Sequence, residues 1–410
     1  MFNFNKNRWL WLSLLFYFFS LSLYAVFSYS LTAPNLVLSQ NPTFWHFQSF
    51  MWRTFFNNRQ LLSQTYFGLM ILNFGAFFVF CSQLFKVKKV SFKMLGLILG
   101  LLCLPLIFSN NALSYDVFNY IFNAKMVSFY HVDPHYQVAL NFPEDPWTKF
   151  MHNTHTTAPY GHGWTYLSLI PYTLGMGKFI TTWLSFRIFN LLPLFALLYF
   201  YYKNNIEKNY LWLSLVIFNP LTLIEVVSNS HNDLWMMAPA IGALLFLSQS
   251  SKNKIPWLKA IISLAIILLT MWIKIATVAL LPIWLIVAFR SKINTIPRFD
   301  SIVNNWPYLA SLVMFLPLLT TRSQQFHPWY LLWSLTFIPL VRSNKWIKIW
   351  LQSLIVLSIS SMFRYLPFLW NNNYDGNVLL WQKIITFAPF VLALLFFTKQ
   401  AVFLPRKAKR

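Results

Sequence analysis

Asp116 is the residue of this chain whose position most invites chemistry. It closes Asn111-Ala112-Leu113-Ser114-Tyr115-Asp116, just after the apolar run Leu95 to Phe108, and it opens the longest stretch without a membrane-spanning run. A carboxylate at the exit of a hydrophobic helix, followed by a loop rich in His, Pro and aromatics, suits a general base held at a membrane surface. Apolar residues at helical spacing (Val117, Ile121, Phe122, Met126) predict a helix over 116–130 lying along that surface. Asp116 would then sit at its amino end, where the helix dipole favours an anion. Asp is also a favoured N-cap, so position alone allows a purely structural role as well.

Further polar groups interrupt the apolar sequence. Glu225, Ser228, Asn229, His231, Asn232 and Asp233 cluster between two apolar runs. Polar groups at such depth are costly and often functional, and the cluster holds more than a helix cap requires. Lys274 interrupts the run Ala260–Phe289; it could snorkel to headgroups or bind a phosphate. In the stretch 321–333, Arg322 and His327 could hold a phosphate, while Trp329 and Tyr330 could stack on a sugar or mark the membrane interface. Arg364 is a second arginine on the same side. The pairs His152/His155 and His131/His135 are loosely spaced for a metal, which needs three or four convergent ligands. No metal site and no cofactor is assigned.

The elements that must position these groups are membrane helices. Apolar residues make up 57% of the chain and charged residues 10%, and runs of about 17–25 apolar residues recur, each long enough to cross the hydrocarbon core. Backbone groups in lipid must be satisfied internally, and alternating strands are absent, so helices are expected. The net charge of +23 falls in short clusters between apolar runs. That is the pattern of cytoplasmic loops, and it excludes a nucleic-acid partner. Cys81 and Cys103 both lie inside apolar runs, which argues against a disulfide framework. Trp9–Leu31 reads as a retained signal anchor.

With the amino terminus inside, about twelve spans are expected: 9–31, 66–85, 91–108, 179–201, 209–226, 232–250, 257–273, 275–289, 303–320, 328–341, 347–361 and 377–398. The short apolar segment 160–175 is read as re-entrant, because a full crossing there would turn the later basic clusters outward. Segment 35–62 reads as an interfacial helix on the outer face. Of the nine acidic residues only Glu207 and Asp300 fall inside, and all eight histidines map outside. Chemistry is therefore expected on the extracytoplasmic face, with a lipid-activated rather than a nucleotide-activated substrate. The whole chain, 1–410, reads as one transmembrane domain, with 109–160 as its extracytoplasmic catalytic loop.

Taken in order, these pieces resemble the integral-membrane GT-C glycosyltransferases, and among them the prokaryotic polyprenol-phosphate-mannose-dependent mannosyltransferases. The resemblance rests on Ser114-Tyr115-Asp116 with Tyr120, Asp133-Pro134-His135-Tyr136, Pro159-Tyr160-Gly161, Asn219-Pro220-Leu221, His231-Asn232-Asp233, Lys274 and His327-Pro328-Trp329-Tyr330-Leu331-Leu332-Trp333. It covers roughly residues 90–345. Where that family reads Tyr-Gly-Pro, this chain has Tyr160-Gly161-His162.

The resemblance implies an all-α, GT-C-like polytopic protein of the plasma membrane. It implies inverting transfer of a hexose, mannose first, from a polyprenyl-phosphate donor to a lipid-linked, glycan or protein acceptor. Asp116 would be the general base. Tyr115, Tyr120, Tyr160, His231, Asn232, Asp233, Lys274, Arg322, His327 and Tyr330 would bind substrate, with Arg322, Lys274 and His327 facing the leaving phosphate. Two rivals remain at this point. A transporter would favour midplane charges and internal repeats, which the hydropathy lacks. A polysaccharide ligase or polymerase would be expected to carry its large outer loop late in the chain.

Overall fold

The computed structural model describes residues 7–32, 36–87, 90–204, 210–249, 256–293, 304–319, 326–341 and 345–403. The described residues form helices and turns, with no strand among them. The amino-terminal helix α1 (Arg8–Phe27) packs against α3 (Arg59–Phe85) and α4 (Phe92–Ile107). Between α1 and α3 lies α2 (Pro42–Met51), with Pro42 at its first position and the Asn41 side chain accepting from the backbone N–H of Thr43 and Phe44. Asn58 and Ser91 cap α3 and α4 in the same way, accepting from Leu61 and Met94.

The helix expected over 116–130 is α5 (Asp116–Ser128). It packs on α6 (His162–Leu174), which packs in turn on α7 (Phe179–Phe189). Beyond α7 come α8 (Leu191–Lys203), α9 (Tyr210–Ile217) and the short α10 (Pro220–Leu223), which runs into a π-turn over Ile224–Ser228. The pair α11 (Asp233–Ser248) and α12 (Trp257–Ile273) follows, then a 3-10 segment Ile275–Leu280 and α13 (Leu281–Ala288). The carboxyl-terminal part holds α14 (Trp306–Phe315), α15 (Lys345–Phe363), α16 (Leu366–Asn371) and α17 (Val378–Phe403), with α15 packed along α17.

Five helical segments are long and apolar enough to cross a membrane, and a sixth if the bent pair Tyr210–Ile217 and Pro220–Ser228 counts as one. Large apolar side chains on these helices are exposed (Leu15, Phe19, Ile71, Leu392, Leu395), as a lipid-facing surface requires and an aqueous one does not. Several expected spans take a different form. The segment 66–85 begins earlier, at Arg59, and 179–201 breaks at Asn190 into α7 and α8, which together still meet the length of a span. Segment 328–341 is not a continuous helix but three short turns, Pro328–Leu331, Leu332–Leu335 and Ile338–Leu340, with Pro328 and Pro339 each removing a backbone donor. Helix α6 has 13 residues, about 20 Å at 1.5 Å per residue, too short to cross about 30 Å of hydrocarbon.

The bend at Asn219-Pro220 positions the site. Pro220 cannot continue the ladder of α9, so the axis turns by 44°. The broken end is satisfied by side chains: Tyr17 donates to the Phe218 carbonyl at 2.7 Å, Asn219 Oδ1 accepts from the Leu221 N–H at 2.9 Å, and its amide donates to Ser358 at 3.0 Å. One large apolar cluster runs through the bundle; a small satellite (Phe122, Met126, Ala139, Met151) lies under the loop after α5.

Candidate active site

The segment before Asp116 is buried and fully tied down. Ser109 bonds to Ser228 at 2.7 Å, the Asn110 N–H donates to Ser28 at 2.7 Å, and the Asn111 amide donates to the Ser228 carbonyl at 3.0 Å. Arg187, buried in α7, donates to the carbonyls of Leu106, Ile107 and Ser109 and to the Asn111 side chain, with its guanidinium over the Trp183 ring. The Leu106 and Ile107 carbonyls are spare acceptors at the end of α4, and the Ser109 and Asn111 oxygens belong to the loop beyond it. One buried cation thus finishes α4 and fixes the loop leading into α5. Arg187 escaped the sequence reading because it sits in an ordinary apolar run, with nothing local to mark its long-range partners.

Asp116 is the first residue of α5, and Tyr115 takes the N-cap position without a side-chain cap. Its carboxylate faces His231 instead, with Oδ2 3.4 Å from Nδ1. His231 Nε2 lies 3.4 Å from Glu225 Oε2. At that length these are ion-pair contacts rather than short hydrogen bonds. Glu225 sits on the π-turn, where it accepts from the Asn229 amide at 2.8 Å and the Tyr365 hydroxyl at 2.9 Å. The chain reverses at Ser230, whose φ of 60° is left-handed, and the His231 N–H returns to the Glu225 carbonyl at 3.0 Å. The His231 ring stacks on Trp329 at 3.7 Å, and His327 stacks on the same indole at 4.4 Å.

This surrounding sets the charges. Burial alone would lower the His231 pKa, but the flanking Asp116 and Glu225 more than reverse it and raise it to about 9. Burial would raise the Asp116 pKa, and the contact with cationic His231, helped by Lys274, brings it below the ordinary carboxylate value instead. Asp116 is thus an anion at neutral pH. His327 goes the other way. Burial pushes it down, the Asp116 charge opposes, and Arg364, His231 and Lys274 add to the fall, leaving it at about 4 and neutral at pH 7. The Tyr160 hydroxyl lies beside Asp116, and burial together with that charge pushes its pKa well up.

Lys274 is placed by a glycine. It ends α12 in extended conformation (φ −155°, ψ 121°), just before the 3-10 segment Ile275–Leu280. The Gly161 N–H donates to the Ile273 carbonyl at 3.1 Å, and a Cβ on Gly161 would lie 1.9 Å from the Trp272 carbonyl oxygen. The Tyr160-Gly161-His162 turn therefore presses directly on the break that carries Lys274. Lys274 Nζ pairs with Asp233 Oδ1 at 2.8 Å and lies over the Tyr330 and Trp333 rings at 4.9 and 5.2 Å. Trp333 Nε1 also donates to Asp233 Oδ1, at 2.5 Å. The lysine charge is already matched inside the protein, which leaves less of it for a ligand phosphate. Asn232 is buried next to this pair, with neither amide atom hydrogen-bonded.

Asp116 opens on a cavity of about 510 Å³, which it shares with Tyr115, His152, His327, Trp329, Tyr365 and two arginines, Arg364 and Arg59. Tyr115 stacks on His152 at 3.8 Å. Tyr120 lies behind, edge-on to Tyr160 at 4.9 Å and to Trp164 at 5.0 Å. Most sequence-predicted residues thus converge around Asp116: Tyr115, Tyr160, His231 and His327 closely, with Asp233, Lys274 and Tyr330 as a neighbouring group. Arg322 lies outside the described residues. Glu225 was read in the sequence as part of the functional polar cluster and Arg364 as an alternative partner for the phosphate, and Arg59 and Tyr365 were missed. Arg59 begins an apolar helix after the aromatic segment 35–62, where a cation reads as an ordinary interface residue. The loop histidines weighed as metal ligands do not gather as pairs. Among the described residues one His/Cys/Asp/Glu group brings its ligand atoms together, Asp133, His135 and His162, and His152 and His155 are not in it.

The apolar helices and the carboxylate–imidazole pair at their ends define a helical membrane protein with a polar cavity. Residues 21–290 match the family described as MptA_B, alpha-(1->6)-mannopyranosyltransferase, N-terminal domain. The chain belongs to that family of mannosyltransferases, and the match favours the transferase reading over the transporter. No curated protein and no solved structure matches the chain.

Proposed function

We propose that this protein is a GT-C-type mannosyltransferase of the plasma membrane, acting on the extracytoplasmic face with a polyprenyl-phosphate-linked sugar as donor and a lipid-linked, glycan or protein acceptor. The observation that carries this is the pairing, in one cavity, of an anionic Asp116 with the cations Arg364 and Arg59. Asp116 takes the proton of an acceptor hydroxyl as that oxygen attacks the anomeric carbon. The bond from that carbon to the phosphate oxygen breaks on the opposite face, with inversion, and polyprenyl phosphate leaves. Arg364 and Arg59, with Arg322 as the sequence suggests, stabilise the charge on the leaving group. His327 starts neutral and donates or accepts a hydrogen bond there. Tyr160, Tyr115 and Asn232 orient sugar hydroxyls. His231, held between two carboxylates, keeps Asp116 ionised.

In this reading α6 enters the membrane from outside and returns. The shorter apolar helices, among them Phe92–Ile107, Asp233–Ser248 and Trp257–Ile273, add to the longer spans and bring the crossings toward the twelve expected. The test supplies membranes containing the protein with polyprenyl-phosphate-linked mannose, glucose and galactose separately. Mannose consumption that disappears with Asp116→Asn supports the proposal. Consumption of none of the three would remove the lipid-phosphate donor.

A further inference from the structure

The loop between α5 and α6 holds a second polar cluster that the transfer reaction does not use. Asp133 and His135 come from Asp133-Pro134-His135-Tyr136, and His162 is the first residue of α6. His162 Nε2 lies 3.7 Å from Asp133 Oδ2, and the His135 and His162 rings lie face to face at 3.8 Å. One ligand atom from each of the three falls within 4.8 Å of the others. They share a cavity of about 350 Å³ with His131 and Thr165.

The donors are partly oriented already. Asp133 Oδ1 accepts the His135 backbone N–H at 2.8 Å, which leaves Oδ2 turned to His162. His135 Nε2 is 2.9 Å from Thr165 Oγ1, and the same imidazole meets the Ala158 backbone. A ligating imidazole needs such an outer partner to fix its ring. Ligands at about 2.0–2.1 Å from a tetrahedral zinc stand about 3.4 Å from each other. The Asp133–His162 separation is therefore close to what an ion requires, while His135, stacked on His162, must tilt its ring and exchange one of its hydrogen bonds for the metal to join them. Two imidazoles and a carboxylate favour a first-row divalent metal over calcium or magnesium. Water would complete the coordination, since the converging side chains number three. Asp133 and His162 side chains are each 42% exposed, so an ion has a route in.

We propose that Asp133, His135 and His162 bind a divalent transition-metal ion of the zinc class, which fastens the loop after α5 to the head of α6. The segment so closed carries His152, stacked on Tyr115 beside Asp116, and it ends at the Gly161 turn that places Lys274. The ion would act as a clasp on the reaction chamber, remote from the transferred sugar.

The full-length protein, purified in detergent, is stripped with chelator, reloaded with zinc or cobalt(II), desalted and analysed for metal per chain. The expected result is one zinc per chain, cobalt ligand-field bands in the visible, and a melting temperature that rises with zinc and falls again on chelation. Asp133→Asn, His135→Gln and His162→Gln should each lose the metal and the zinc-dependent rise, whereas His155→Gln, on the same loop, keeps both. Less than a tenth of an equivalent retained by the wild type, with no cobalt bands, would overturn the proposal without help from any variant. So would a His135→Gln/His162→Gln chain that still holds one zinc. None of these readouts depends on the donor, so failure here leaves the transferase reading untouched.

Discussion

Asp116→Asn keeps the shape of the side chain and removes its charge and basicity. Loss of a general base lowers the rate about 10²–10⁴-fold, or about 2.7–5.4 kcal/mol of transition-state stabilisation. The fold should feel much less. The Asp116 side chain is 24% exposed and sits 3.4 Å from His231. Two unit charges at that separation attract by about 5 kcal/mol at an effective dielectric constant of 20, and the cost of desolvating both offsets most of this. His231 retains Glu225 at 3.4 Å on its other nitrogen, so the substitution strands no buried cation, and the net loss of stability should be about 1 kcal/mol. The assay compares kcat of purified wild type and variant with polyprenyl-phosphate mannose, alongside thermal unfolding of both. A folded Asp116→Asn enzyme with near-normal turnover would refute the assignment of the base.

Arg364→Ala should raise the donor KM and lower kcat about tenfold or more, with Arg364→Lys recovering only part, because a bidentate fork is lost; kinetics like wild type would move the phosphate site toward Arg322 and Arg59. His231→Gln removes the cation that opposes burial at Asp116, so the Asp116 pKa rises. Since the base works as the anion, activity lost on acidification is then lost at higher pH, and the acid limb of the kcat/KM profile moves up. An unmoved limb would mean that His231 does not set the charge of the base. A cysteine at the exposed Tyr136 should react with an impermeant thiol reagent from outside, and one at Lys203 only from inside; Cys81 and Cys103 are both buried and should stay silent. Outside labelling at Lys203 would make α6 a full crossing and invert the later topology.

The helices and the head of the site could be read from the sequence for one reason: both are local patterns. The run before Asp116 and the helical spacing over 116–130 depend on neighbours in the chain, and each appears where expected, whereas the expected span 209–226 is bent by 44° at Asn219-Pro220. Span lengths were less legible. Hydropathy counts apolar residues and is blind to Pro328 and Pro339, which cut 328–341 into turns. Side-chain partnerships over long separations were not legible at all. Nothing near Arg187 in the sequence points to the carbonyls of α4, and nothing near Tyr365 points to Glu225. The N-cap role open to Asp116 was settled only by seeing its carboxylate turned to His231.

The cations around Asp116 fall into two groups, those already paired inside the protein and those that are not. His231 is committed to Asp116 and Glu225, and Lys274 to Asp233. His231 thereby holds the Asp116 carboxyl below its ordinary range against the effect of burial. His327 carries no charge of its own at neutral pH. Among the described residues lining the cavity, Arg59 and Arg364 are the side chains that stay cationic without a carboxylate within ion-pair distance. Arginine suits that position, because its charge survives burial where lysine or histidine would surrender it. In the proposed reaction, an incoming phosphate would therefore meet charge that is free to pair with it, while Asp116, held as an anion by His231, would serve as the base before the phosphate arrives and after it departs.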